Sequence, residues 1–341
     1  MGGKTNNVFK LGIGMAISIF FLYLAFRQVE LHNLLEVLRN SHGTFLMFAV
    51  FVLFTSHWFR AVRHRYLLES VKRIENGSLF SALMIGYLAN TVLPAHLGEF
   101  LRAYVIGKKE RISASSTFAT IVVERVLDVL SLIIIMGLVF VVYPFPEMFK
   151  LSVYLTFAFA TGIVGFLALL KFKPELSFRF MKIATRLFPN GIADKILQLL
   201  ESFREGLVAL KDRKSYFIVF VLSIVIWAIY AGVFAIGFYA FDFIELYSIP
   251  ISASLVVLVI TTISIVVPSS PGYVGTYHWL CMIALSLFAV PESHALGYAI
   301  VIHAINMIPV ALVGVAFALK EGVTFSKIRK QIGLREVAIT D

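Results

Sequence analysis

Five charged residues sit in stretches that are otherwise apolar: Glu99, Arg102, Glu124, Arg125 and Asp128. At the centre of a spanning helix each costs about 2.5–3.5 kcal/mol. They must therefore pair, or face protein or water rather than lipid. Arg125 and Asp128 stand three positions apart, as do Glu99 and Arg102, and that spacing lets each pair meet on one helix face. At about 100° per residue, Ser113, Thr117, Thr120, Asp128 and Ser131 fall within about 40° of Glu124. The stripe they form must point into the protein. Carboxylates and guanidiniums so placed suit a charged headgroup or a proton relay. They equally suit a structural tie between neighbouring segments.

No catalytic motif accompanies these carboxylates. There is no GxSxG, no phosphate-binding Gly-rich loop with Lys-Ser/Thr and no nicotinamide fingerprint. The chain is not read as an enzyme, although a membrane transferase using Glu99, Glu124 or Asp128 as a base stays open. His96 with Glu99, and His278 with His303, lack the clustered spacing of metal ligands, so neither metal nor cofactor is expected. Cys281 is the single cysteine, which excludes an internal disulfide.

Composition supplies the elements that carry these residues. Of 341 residues, 59% are hydrophobic, against ~45–50% for a soluble domain, and the mean hydropathy is +0.88. The apolar residues come in blocks long enough for a bilayer, which takes about 20. The reading is a single all-α, polytopic membrane domain over 1–341. Six full spans are predicted at 9–26, 44–62, 113–143, 151–171, 215–241 and 294–319. A segment at 176–212 places Ile196, Leu199, Leu200, Phe203, Leu207 and Leu210 at helical spacing. That suits a helix in the membrane interface or a connector packed on the bundle.

Lys and Arg set the orientation. Loop 60–78 holds Arg60, Arg63, Arg65, Lys72 and Arg73; loop 108–112 holds Lys108, Lys109 and Arg111. Segment 171–214 and the tail after Lys320 are also basic, whereas 143–150, 242–249 and 291–294 are poor in positive charge. Both termini are therefore expected in the cytoplasm. Loop 27–43, with Arg27 and Arg39, runs against this pattern.

Two apolar regions, 79–107 and 250–290, are interrupted. In the first, arms 79–93 and 97–107 reach only about 22 and 16 Å, short of a ~30 Å hydrocarbon core. A re-entrant hairpin turning at Pro94 and Gly98 fits. VLPAHLGEFLRAY aligns with VVPSSPGYVGTYH, so that Pro94 meets Pro268 and Gly98 meets Gly272. Three full spans separate the hairpins, which makes the second enter from the other face. The expectation is an inverted repeat, 44–143 and 215–319, with its site at the paired breaks. Half-helices beginning at the two tips favour an anion, to which Arg102, Arg125, Ser269, Ser270 and Thr276 add donors.

The stretch PAHLGEFLRAYVIGKKERISASSTFATIVVERVLD resembles the signature of the lysylphosphatidylglycerol synthase transmembrane-region family, also called flippase-like domain proteins. The matching positions are Pro94, Gly98, Glu99, Arg102, Glu124, Arg125, Asp128, Pro271, Gly272 and Gly275. Ala95-His96 stands where a basic residue is common, and Gly275-Thr276-Tyr277 lacks the glutamate often seen there. The resemblance spans roughly 9–320 and implies the stand-alone type, without the aminoacyltransferase domain. It implies a lipid translocator in the cytoplasmic membrane of a prokaryote, acting on an aminoacylated phospholipid, isoprenoid-linked glycan or hopanoid. The expected partners are membrane lipids, with no nucleic acid. The alternative is a non-catalytic partner of a lipid- or glycan-modifying enzyme.

Overall fold

A computed structural model describes residues 15–27, 29–92, 97–143, 172–186, 213–266 and 271–323, with scattered positions between 161 and 201. Among the described residues every regular element is helical. In chain order they are α1 (Met15–Phe26), α2 (Leu31–Asn40), α3 (Gly43–Leu68), α4 (Asn76–Val92), α5 (Gly98–Glu110), α6 (Ala114–Val142) and α7 (Pro174–Thr185). There follow α8 (Arg213–Ala240), the short α9 (Phe243–Tyr247), α10 (Ala253–Val266), a 3-10 turn (Pro271–Tyr273), α11 (Thr276–Ser286) and α12 (Glu292–Lys320).

Among the described residues three helices, α3, α8 and α12, are long and apolar enough to cross a membrane. They correspond to the expected spans 44–62, 215–241 and 294–319. Helices α1 and α2 form a fourth candidate, bent by 86°. Loop 27–43 thus carries a helix, whose Leu34 and Val37 are buried where α2 packs on α12. Helix α6 has 29 residues, matching the expected span 113–143. The expected span 151–171 lies largely outside the described residues, as do Ile196, Leu199, Phe203, Leu207 and Leu210. Leu200 is described, and it packs with Leu67, Val123 and Val219. That part of segment 176–212 rests on the bundle.

Helix α3 departs from its predicted end. It runs on to Leu68, so Arg60 and Arg63 belong to the helix and not to a loop. Both are buried. A helix need not stop at its first arginine when that arginine meets carboxylates inside the protein.

Both interrupted regions fold as two short helices. Arms α4 and α5 have 17 and 13 residues, or about 25 and 20 Å. They cross at glycines: a Cβ on Gly98 would run into the Gly86 carbonyl and the Asn90 side chain. The Gly98 N–H donates to Asn90 Oδ1 at 2.7 Å, fastening one arm to the other. In the second region the chain turns at Gly272 (φ 74°) and Gly275 (φ 92°), a backbone region that suits glycine. Pro94 and His96 lie outside the described residues, as do Pro268, Ser269 and Ser270.

Helix α3 packs along α8 and runs antiparallel to it. His42 at the start of α3 meets Asp242 just after α8, with Nε2 2.9 Å from Oδ2. Around this pair, α4 touches α3, α5 and α12, and α5 touches α6. Likewise α10 touches α8, α11 and α6, and α11 touches α12. The largest apolar core joins Leu53, Met84, Phe238, Tyr298 and Ile302.

Candidate functional site

The middle of the polar stripe of α6 faces inward, as its spacing required, while Ser113 at the helix start is exposed and Ser131 is half-buried. Thr117, Thr120, Glu124 and Asp128 are all buried. Four guanidiniums surround the two carboxylates. Glu124 Oε1 accepts from Arg60 Nη1 (3.2 Å), Arg102 Nη1 (3.2 Å) and Arg125 Nη2 (2.9 Å). Its Oε2 accepts from Arg102 Nη2 at 3.0 Å. Asp128 Oδ1 accepts from Arg63 Nη2 (2.7 Å) and Oδ2 from Arg60 Nη1 (2.9 Å). Arg125 Nη2 lies 3.4 Å from Asp128 Oδ2, the pairing that their spacing suggested. Every carboxylate oxygen is thus partnered, which a buried charge requires.

The cluster reaches further. Arg63 Nη1 donates to Ser223 Oγ (3.0 Å) and Arg60 Nε to Tyr230 OH (2.7 Å), both on α8. Arg102 Nη2 donates to His64 Nδ1 at 2.7 Å. A guanidinium only donates, so His64 carries its proton on Nε2 and gives it to Thr120 Oγ1, 3.0 Å away. Thr120 in turn donates to the Thr117 carbonyl at 2.8 Å. Helices α3, α5, α6 and α8 are tied through one network holding two more positive than negative charges.

One sequence expectation is corrected here. Arg102 pairs with Glu124 and not with Glu99, because α5 aims it at α6; Glu99 instead accepts from Asn90 Nδ2 at 3.2 Å. Arg102 is buried, and the Gly98 N–H at the start of α5 donates to Asn90. Sequence reasoning missed Arg60 and Arg63 by counting them as loop charges. Their signal was present: His57, Arg60 and Arg63 recur every three residues, a helical face.

Beside the cluster lies a cavity of about 300 Å³. Arg60, Arg125 and Glu99 form its charged part. Tyr87 and Asn90 come from α4; Trp227 and Tyr230 come from α8; Gly272, Tyr273 and Tyr277 come from the second broken region. His303 and Asn306 of α12 complete it. Both broken regions therefore contribute to one cavity. The Arg125 side chain is 39% exposed there, against 3% for Arg102. Thr276 sits at the start of α11, buried, its hydroxyl donating to the Tyr273 carbonyl at 3.0 Å.

Residues 11–314 match the family model described as the lysylphosphatidylglycerol synthase TM region. The chain belongs to this family. It is an integral membrane protein, and the matched residues include the whole charged cluster and the cavity wall. A UPF0104 membrane protein of Methanocaldococcus jannaschii is 24% identical over 89% of this chain and 93% of its own length. A UPF0104 membrane protein of Methanothermobacter thermautotrophicus is 30% identical over 33% of each chain. The glycosyltransferase AglD of Haloferax volcanii is 30% identical over 38% of this chain, which covers 21% of that protein.

Proposed function

We propose that the protein is a lipid translocator, moving an anionic or amphipathic lipid across the cytoplasmic membrane of a prokaryote. One observation carries this reading. The cavity draws on both broken regions, and its charged wall belongs to a cluster with excess positive charge. Such a site attracts a phosphate-bearing headgroup. The aminoacylated phospholipids, isoprenoid-linked glycans and hopanoids of the expectation differ in their charge at this wall.

An inverted repeat of 44–143 and 215–319 supports the reading. Contacts come in matched sets: α3–α4 with α8–α10, α4–α5 with α10–α11, α5–α6 with α11–α12, and α4–α12 with α10–α6. The antiparallel pair α3–α8 is its own counterpart. Paired broken helices around one site suit alternating access. The short arms favour two re-entrant hairpins among six full spans. With Arg60 and Arg63 removed from the loop count, Lys72, Arg73, Lys108, Lys109 and Arg111 still favour a cytoplasmic face there. That arrangement puts both termini in the cytoplasm.

Glu124 and Asp128 are held by guanidiniums, which suits a binding scaffold better than a general base. A second reading is a non-catalytic partner of a lipid- or glycan-modifying enzyme. It is favoured by the partial match to a glycosyltransferase.

The test is reconstitution in liposomes containing fluorescent anionic lipid analogues, with a quencher added outside. Accelerated loss of inner-leaflet fluorescence is expected, and slower loss in an Arg125→Ala protein. Rates equal to protein-free liposomes for every lipid tried would leave the partner reading.

A further inference from the structure

Helices α6 and α12 match end to end. The register that lays TIVVERVLD (120–128) over YAIVIHAIN (298–306) also lays Ala114 over Glu292 and Val142 over Lys320. Those are the first and last residues of the two helices, each 29 residues long. It therefore lays Tyr143 over Glu321, and these are the two C-caps. Their side chains make equivalent ties with different chemistry. Tyr143 OH lies 2.6 Å from Ser252 Oγ, just before α10. Glu321 Oε1 accepts from Ser81 Oγ of α4 at 2.9 Å and pairs with Lys109 Nζ of α5. Each cap joins the end of a long helix to the opening turns of the other half's first hairpin arm.

The two ties lie at opposite ends of the bundle. Arms α4 and α10 begin near the ends of α3 and α8, and those two helices are antiparallel. The seams that the ties close, α4–α12 and α6–α10, both lead to the cavity. Asn90 and Asn306 line it from the first seam, Arg125 and Thr262 from the second. The seams are not equally tight. A Cβ on Gly314 would stand 2.6 Å from the Met84 carbonyl, so α12 meets α4 at its backbone. The same register lays Met136 over Gly314. Met136 packs against Val139 of α6 and Val256 and Val259 of α10, which keep these two helices apart by a layer of side chains.

We propose that Glu321 and Tyr143 are alternating latches on the two entrances of the cavity. Releasing one latch parts its seam while the other stays shut, so a headgroup reaches Arg125 from one face at a time. Equivalent seams caught at different tightness are what paired halves show when they exchange conformations around a fixed site. The ties are few enough to break reversibly: one neutral hydrogen bond at Tyr143, one hydrogen bond and one ion pair at Glu321. In the orientation proposed above, the charged latch faces the cytoplasm and the neutral latch faces outward.

This inference rests on reading the cavity as a translocation site, and its test separates the two. In a Cys281→Ala background, Asn306→Cys, and separately Thr262→Cys, puts a single thiol on the cavity wall. Its reaction with a membrane-impermeant maleimide is timed in spheroplasts and in inverted membrane vesicles. Tyr143→Phe is expected to speed the reaction about three- to tenfold in spheroplasts only, the effect of losing one neutral hydrogen bond. Glu321→Ala is expected to speed it about tenfold or more in inverted vesicles only, because a charged tie is lost. Ser252→Ala should act on the same side as Tyr143→Phe, and Ser81→Ala on the same side as Glu321→Ala. A protein inserted the other way round would exchange the two preparations and keep the opposition. Acceleration on one and the same side for both caps, or its absence for either, overturns the latches and leaves the translocator reading standing. Opposite-side access without lipid movement in liposomes overturns the translocator reading alone.

Discussion

Arg102 grips both carboxylate oxygens of Glu124, at 3.2 and 3.0 Å, from a helix of only 13 residues. This bidentate pair docks the returning arm of the first hairpin onto the full-length helix α6. Neither side chain reaches solvent: they are 3% and 0% exposed. Removing one partner of a buried pair leaves an uncompensated charge, at a cost of about 3–5 kcal/mol. Glu124→Ala strands more charge than Arg102→Ala, because Glu124 meets three guanidiniums within 3.2 Å. Thermal unfolding in detergent should therefore rank the parent above Arg102→Ala, and Arg102→Ala above Glu124→Ala. Equal melting temperatures would show that the pair does not hold the hairpin.

The crossing of α4 and α5 gives a second prediction, this one about backbone. A methyl group on Gly98 meets the Gly86 carbonyl and Asn90, which cannot both give way. Overpacking of this kind costs about 1–3 kcal/mol. Gly98→Ala should lower the melting temperature and raise protease sensitivity in the 93–97 region. Gly86→Ala should do less, since its nearest contacts are 3.0 and 3.1 Å. A Gly98→Ala protein as stable as the parent would contradict the close crossing.

The sequence made some of this legible and hid the rest for physical reasons. The stripe from Thr117 to Asp128 was readable because a charged face in a membrane span has only one place to go. The breaks near Gly98 and Gly272 were readable because proline and glycine interrupt helices for local reasons. Arg60 and Arg63 read as loop charges, since their burial depends on Asp128, 68 and 65 positions away, and for Arg63 also on Ser223, 160 positions away. An arginine after an apolar run resembles the end of a span unless those partners are known. Glu99 and Arg102 share the spacing of a helical pair, yet α6 offers Arg102 a better acceptor.

Orientation is open to a direct check. Cys281 is buried, so a Cys281→Ala background should tolerate single new cysteines. Ser70→Cys, beside Lys72 and Arg73, should react with a membrane-impermeant maleimide only after the cytoplasmic side is opened. Leu246→Cys is at an exposed position and should react in intact cells. The reverse pattern would invert the topology and move the basic loops to the outer face.

Arg125 separates a binding role from a structural one. It donates to Glu124 at 2.9 Å and lies 3.4 Å from Asp128, yet its side chain is 39% exposed on the cavity wall. Both carboxylates keep other guanidinium partners when it is removed: Arg60 and Arg102 for Glu124, Arg60 and Arg63 for Asp128. Arg125→Ala should therefore cost only about 1 kcal/mol of stability, as a partly exposed pair does. Its loss for an anionic ligand should be larger, about 10- to 100-fold in affinity, because a charge-assisted hydrogen bond is worth about 1.5–3 kcal/mol. Arg125→Lys keeps the charge without the planar fork and should fall between. The readouts are melting temperature and titration with a short-chain anionic lipid on the same preparations. Affinity that drops only in step with the folded fraction would make Arg125 one more structural member of the cluster. Unchanged affinity in a stable Arg125→Ala protein would remove the cationic wall from the binding site altogether.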